Sequence, residues 1–251
     1  MEPPRRSLYP AAVPGWMVGE HPVRVLDVGS GSGAFAQLLV SAGHDVFALD
    51  RDAAQITAVV ERLATRQHVV AQVEALPYLA CHFDVVTASQ ALHRFAPGLA
   101  LSEIARVLKP GGHLAIAYNT RDDTVPWVRR LIALLEQANP ESVTGDYGLD
   151  AVNTVIESPY FGEVSRRSFR HWVPTTRSAL VRMVERRPAT AALEPRQRQQ
   201  LLDEVAALYD SSARAPEPLL LPFQASCWRA VADHSRLAAL EDDVQSLEIR
   251  I

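Results

Sequence analysis

Asp27-Val28-Gly29-Ser30-Gly31-Ser32-Gly33 joins a carboxylate to three alternating glycines, and Asp50 follows Gly29 by 21 residues. Glycines let the backbone turn sharply and approach a ligand closely. A helix starting behind such a loop aims its free N–H groups at whatever sits there, which favours an anionic group. At the end of a second strand, Asp50 can accept hydrogen bonds from both hydroxyls of a ribose. The same loop and acid serve nicotinamide cofactors, and Gly29, Gly31 and Ala34 fit the G-x-G-x-x-A form of that fingerprint. Asp27 separates the two ligands. A dinucleotide site keeps an apolar residue there, whereas an acid suits a ligand with an ammonium, such as an amino-acid moiety. The bland alternative is a tight turn with no ligand.

Other polar residues fall where a strand ends. His93 follows a fourth apolar run, where a histidine can act as a base, orient an acceptor or pack beneath a cofactor. Asn119, Arg121 and Asp122 follow a fifth run. Arg121 or Arg94 could pair with a carboxylate of an acceptor, against the alternative of a local turn network around Asp122. Tyr118 and Trp127 could wall an acceptor pocket, with Tyr9 closing over it, or they could be core.

The elements that must position these residues alternate. Val23–Val28, Asp45–Leu49, His68–Val73, Phe83–Ala88 and His113–Tyr118 read as strands. Ala34–Ser41, Ala53–Arg66 and Leu99–Leu108 read as helices, and Pro110-Gly111-Gly112 as a turn. Repeated strand and helix with near-continuous apolar strands predicts a parallel sheet covered on both faces. Ligands then bind beyond the carboxyl ends of the strands, near the switch in strand order. Farther along, Pro126–Gln137 reads as a helix, Asn139–Gly148 as a loop, and Thr176–Arg187 and Pro195–Tyr209 as helices. Val164–Trp172 and Leu219–Ala230 read as two last strands of the same sheet.

Composition narrows the class. The chain has 251 residues, 48% hydrophobic and 22% charged, with a net charge of −4. These values exclude collagen-like, disordered and disulfide-scaffold chains. Basic residues number 25 against 29 acidic ones and form no long run, which argues against bulk nucleic-acid binding. Lys109 is the single lysine, a trait of genomic base composition. No apolar run approaches the ~18–20 residues of a membrane span, and the expectation is no membrane partner. Cys81 and Cys227 give no disulfide framework or metal spacing and suit a reducing cytoplasm; no secretory signal is expected behind Met1.

Val25-Leu26-Asp27-Val28-Gly29-Ser30-Gly31-Ser32-Gly33 resembles motif I of the class I S-adenosylmethionine-dependent methyltransferases. Leu76-Pro77 with Phe83-Asp84-Val85-Val86 resembles the next two motifs, and Glu103 to Gly112 the late one. Ser89-Gln90-Ala91-Leu92-His93 and Asn119-Thr120-Arg121-Asp122 with Pro126-Trp127 resemble the methyltransferase type 11, trans-aconitate-methyltransferase-like branch. The resemblance spans roughly Arg6 to Ala230. It implies a Rossmann-like, doubly wound, mostly parallel seven-stranded sheet with helices on both faces. It further implies S-adenosyl-L-methionine as cofactor and a small-molecule acceptor, an oxygen being favoured.

Carried onto this sequence, the resemblance assigns Asp27, Gly29, Ser30 and Gly31 to the methionine end of the cofactor. Asp50 goes to the ribose, Arg51 beside the adenine, and Gln72, Val73 and Glu74 to the adenine edge. Arg6 also belongs to the cofactor set, while Ser89, Gln90 and His93 lie over the sulfonium. Tyr9, Arg94, Tyr118, Asn119, Arg121 and Trp127 are the acceptor-pocket candidates, and His93 the catalytic one. Three positions depart from the pattern. Gln72 replaces an Asp and accepts without charge assistance, Arg94 stands where Trp is common, and the segment before Tyr9 is shorter than in relatives.

Residues 1–232 are expected to form the methyltransferase domain, with a cofactor half at about 20–120 and an acceptor half at about 121–232. Residues 233–251 read as a helical tail. Leu237, Leu240, Val244, Leu247 and Ile251 form a two-heptad seam that could pair chains or lie on the body, so monomer and homodimer both stay open. A cofactor-binding protein without transfer activity, and behind it a nicotinamide-dependent oxidoreductase, are the competing readings.

Overall fold

The computed structural model describes residues 9–63, 67–138, 147–213, 218–235 and 237. Its strands are β1 (Arg24–Val28), β2 (Asp45–Asp50), β3 (His68–Val70), β4 (Phe83–Ser89), β5 (Leu108–Arg121), β6 (Phe161–Thr175) and β7 (Leu219–Ala232). They form one sheet in the order β3-β2-β1-β4-β5-β7-β6. The pairs β3–β2, β2–β1, β1–β4 and β4–β5 are parallel. The seven-stranded, mostly parallel α/β sheet expected from the sequence is therefore present. Strand order reverses between β1 and β4, so a crevice opens beyond their carboxyl ends.

Helices α1 (Ala12–Val18), α2 (Ala34–Ser41), α3 (Ala53–Leu63) and α4 (Pro97–Val107) precede β5. Helices α5 (Pro126–Ala138), α6 (Tyr147–Ile156), α7 (Arg177–Glu185), α8 (Pro188–Ala191) and α9 (Pro195–Ser212) follow it. Pro97 opens α4, where its missing N–H costs nothing. One face of α4 buries Ala100, Leu101, Ile104 and Ala105.

Several expected elements need correction. Pro110-Gly111-Gly112 does not separate a helix from a strand. β5 already begins at Leu108, and the three residues make an irregularity in its register with β4, between Phe83 and Val85. Gly111 has φ +79°, and a Cβ on Gly112 would lie 2.8 Å from the Asp84 carbonyl, so the bulge needs both glycines. β3 stops at Val70, three residues early. Helices α1, α6 and α8 were not anticipated, and Tyr147 and Gly148 open α6 instead of ending a loop.

Gly148 is a packing requirement. A Cβ there would sit 2.8 Å from the Tyr118 ring. Gly148→Ala is expected to lower stability by about 1–3 kcal/mol through overpacking, read as a fall in the denaturant midpoint at unchanged slope.

The chain divides into two compact units. The first runs to Tyr118 and takes in Tyr147–Ser168 and the stretch from Ser226. Its core is built on Leu26, Val28, Leu49, Phe83, Ile104 and Leu114. The second takes the stretch from Asn119 and Phe169–Ala225. There α5, α7 and α9 bury Leu131, Leu180, Val184, Leu201 and Val205. The buried Tyr209 hydroxyl donates to the Thr175 carbonyl at 3.2 Å. Of the tail, residues 233–235 and Leu237 are described; the rest of the heptad seam lies outside the described residues. Among the described residues no helix is long and apolar enough to cross a membrane. Nor do any three His, Cys, Asp or Glu residues among them group to hold a metal ion.

Candidate active site

The loop after β1 is shaped by glycines in the left-handed region: Gly29 (φ +63°), Gly31 (φ +51°) and Gly33 (φ +74°). A Cβ on Gly29 would lie 2.7 Å from the Ala91 Cβ and 3.0 Å from the Phe95 ring, so the loops after β1 and β4 meet only because a hydrogen stands there. The Ser30 N–H donates to the Leu49 carbonyl at 3.0 Å, tying the loop to β2. Asp50, at the end of β2, is buried and holds the same loop. Its Oδ2 accepts from the Gly31 N–H at 2.9 Å, and its Oδ1 from the Asp52 N–H at 3.0 Å.

Asp27 lies in register with Ala48 on one side and Thr87 on the other. It is 1% exposed, which makes its carboxylate expensive unless something neutralises it. Thr87 Oγ1 donates to Oδ1 at 2.7 Å, but Oδ2 is buried with no hydrogen-bond partner. Burial pushes the carboxyl pKa up to about 7; the Thr87 bond opposes the rise and the nearby Asp50 charge adds to it.

On β4, Ser89 Oγ donates to Tyr9 Oη at 2.9 Å. Gln90 adopts φ +56°, which costs a non-glycine residue about 1–2 kcal/mol. It is held there by its N–H on the Ala117 carbonyl at 2.8 Å and by Arg94 Nη2 on its own carbonyl at 3.1 Å. Strain of this kind concentrates at ligand sites.

Two cavities share Gly29 and Arg94. One, of about 350 Å³, brings together Asp50, Arg51, Gln72, Val73 and Glu74. The other, of about 530 Å³, brings together Tyr9, Asp27, Ser30, Gly31, Ser89 and Gln90. Sequence reasoning missed Phe95, Ala96 and Leu99, which complete the first cavity. An aromatic two residues beyond His93, behind the fourth strand, was the available signal for Phe95. The late Glu103–Arg106 motif has a visible task. Glu103 Oε2 accepts from the Leu76 N–H at 2.8 Å, and Arg106 donates to the Leu76 and Tyr78 carbonyls at 3.1 and 2.9 Å. This braces the segment next to Val73 and Glu74, whose Oε1 accepts from the Ala96 N–H at 2.8 Å.

His93 is exposed and lines neither cavity. Its backbone N–H donates to Tyr118 Oη at 3.2 Å, and its Nδ1 shares a hydrogen bond with the same oxygen at 3.2 Å. Burial, reinforced by Arg94, lowers its pKa, while burial raises that of Tyr118. Asn119, Arg121 and Trp127 belong to the second unit. Arg6 lies outside the described residues.

The methyltransferase-domain family matches residues 26–116. An uncharacterized methyltransferase of Mycobacterium tuberculosis is 30% identical over 227 residues, 90% of each chain. The chain belongs to the class I S-adenosylmethionine-dependent methyltransferases. Another relative of this methyltransferase is the malonyl-[acyl-carrier protein] O-methyltransferase of Pseudescherichia vulneris, 28% identical over 186 residues, covering 64% of this chain and 73% of that one. Among solved structures, an Anaeromyxobacter dehalogenans protein assigned as a type II methyltransferase superposes with a TM-score of 0.63. It is 22% identical and matches 90% of this chain and 96% of its own, a likeness of fold.

The family's cofactor is S-adenosylmethionine, and the residues of this methyltransferase fit it. The buried Asp27 Oδ2 lacks a partner that an amino-acid ammonium would supply. Asp50 has both oxygens anchored by backbone N–H groups, leaving lone pairs for ribose hydroxyls. Phe95, Leu99 and Val73 offer apolar surface to an adenine.

Proposed function

We propose that this methyltransferase transfers the methyl group of S-adenosylmethionine to an oxygen of a small-molecule acceptor, a carboxylate or a hydroxyl. The observation that carries the reading is Asp27, a buried carboxylate with one oxygen unmatched at the mouth of a glycine loop. That arrangement suits a zwitterionic amino-acid end and not a dinucleotide. Bound there, the cofactor supplies a methyl group already made electrophilic by its sulfonium. The protein's own task is alignment. The loops after β1 and β4 hold the reactants in place and keep water out, and proximity of this kind can supply ~7–11 kcal/mol of the barrier.

An oxygen acceptor is supported by the Pseudescherichia relative, which is named for O-methylation. His93 lines neither cavity and its Nδ1 is engaged with Tyr118 Oη, which suits a carboxylate acceptor, since that acceptor needs no base.

The test pairs calorimetric titration of S-adenosylmethionine and S-adenosylhomocysteine with transfer of labelled methyl to a panel of carboxylates and hydroxylated acids. Micromolar cofactor binding and a labelled ester or ether are expected. His93→Gln should leave carboxylate methylation within a few-fold, since that acceptor has no proton to give up. Cofactor binding with no transfer to any acceptor would favour a binding protein over an enzyme.

A further inference from the structure

Among the described residues of the second unit, two arginines stand without counter-charges. Arg121 ends β5 and turns largely inward. Its Nε is buried without an acceptor, and Nη2 finds only the Met183 thioether of α7, at 3.8 Å. Thioether sulfur is a weak acceptor. The adjacent carboxylate, Asp122, is committed elsewhere, paired with Arg170 and accepting from the Thr124 N–H and hydroxyl. Arg187, half-buried at the start of α8, follows Met183 by one helical turn with its N–H on the Val184 carbonyl at 3.1 Å, which sets it on the side of α7 that meets Arg121. Among the described residues neither arginine forms an ion pair. Burial and the like charge of Arg187 depress the Arg121 guanidinium to about 10, and burial lowers that of Arg187 as well.

A largely buried cation without a partner is a standing cost, and fold stability alone gives no reason to set a second, half-buried cation beside it. Such costs concentrate where a ligand supplies the missing charge. Guanidinium forks match the paired oxygens of carboxylates and phosphates. We propose that Arg121 and Arg187 form an oxyanion-binding site of the second unit, which takes a carboxylate or a phosphate group.

The test uses the full chain saturated with S-adenosylhomocysteine. Citrate and inorganic phosphate are titrated calorimetrically at matched ionic strength, with sodium chloride as the control. One of the two anions should bind, and which one separates a carboxylate ligand from a phosphorylated one. Arg121→Met and Arg187→Gln should each weaken that binding by about tenfold to a hundredfold. Arg121→Lys, which keeps the charge without the fork, should fall between. The ligand-free Arg121→Met protein should melt above the parent, because it loses an uncompensated charge, and the anion should no longer raise its Tm. A purely structural arginine would give the opposite sign. No anion binding by the parent, unchanged affinity in both variants, or a lower ligand-free Tm in Arg121→Met overturns the proposal. Failure of S-adenosylhomocysteine to bind would instead overturn the proposed function and leave the anion titration readable.

Discussion

Asp50→Ala is expected to weaken S-adenosylhomocysteine binding by about 10²–10⁴-fold, measured by calorimetry at pH 8. In the role proposed for it, Asp50 accepts from two ribose hydroxyls. Each hydrogen bond to a charged group contributes about 1.5–3 kcal/mol, so two give about 3–6 kcal/mol. A second loss adds to the first. The same carboxylate fixes the glycine loop through the Gly31 N–H and the turn beyond β2 through the Asp52 N–H. Alanine therefore leaves two backbone donors without their acceptor and lets the loop relax. Asp50→Asn keeps the shape and one acceptor oxygen but loses the charge, and its affinity should fall between the two. An Asp50→Ala protein that binds as tightly as the parent would show that the ribose is held elsewhere.

What the sequence disclosed, and what it hid, follows from how far each signal reaches. β1, α2, β2 and β4 came out within a residue of their observed bounds. Their apolar runs are short, continuous and closed by glycine or a polar residue, so pattern and boundary coincide. The Asp27 loop and Asp50 were legible for the same reason: their chemistry lies in residue type and in distance along the chain. β5 was misjudged because Pro110-Gly111-Gly112 carries every local mark of a turn. Only the close approach of Gly112 to the Asp84 carbonyl, from a residue on the far side of α4 in the chain, makes it part of a strand. α6 was missed because Gly148, Asn153 and Thr154 weaken its helical pattern, and Gly148 answers to the Tyr118 ring instead. Phe95 drew no reading and Leu99 was read only as the start of a helix, since contact with a cavity is not a property of neighbours in sequence. Arg121 was visible as a candidate, but Arg187 was not. Their shared lack of a counter-ion among the described residues exists only after folding.

Cofactor affinity is expected to rise with pH up to about 7 and then level off, while the ligand-free protein moves the other way. Both trends come from Asp27. Its folded pKa of about 7 stands above the ordinary 3.8, so between those values the folded protein holds a proton that the unfolded chain has released. The Asp27 contribution to stability therefore falls as pH rises through this window and is fully lost above the folded pKa. Cofactor binding needs the opposite state. In the proposed role the carboxylate must be ionised to pair with the ammonium of the methionine end, so binding below pH 7 expels a proton. The dissociation constant of S-adenosylhomocysteine should then weaken by up to tenfold for each pH unit below about 7. Asp27→Asn isolates the effect. It should bind weakly at every pH, lose the pH slope between about 5 and 7, and spare the ligand-free protein the burial of a charge at pH 8. Calorimetry in buffers of different ionisation enthalpy counts the released proton directly. About one proton at pH 6 and none at pH 8.5 is expected, and no proton at pH 6 would mean that Asp27 is already ionised in the free protein, without need of the cofactor.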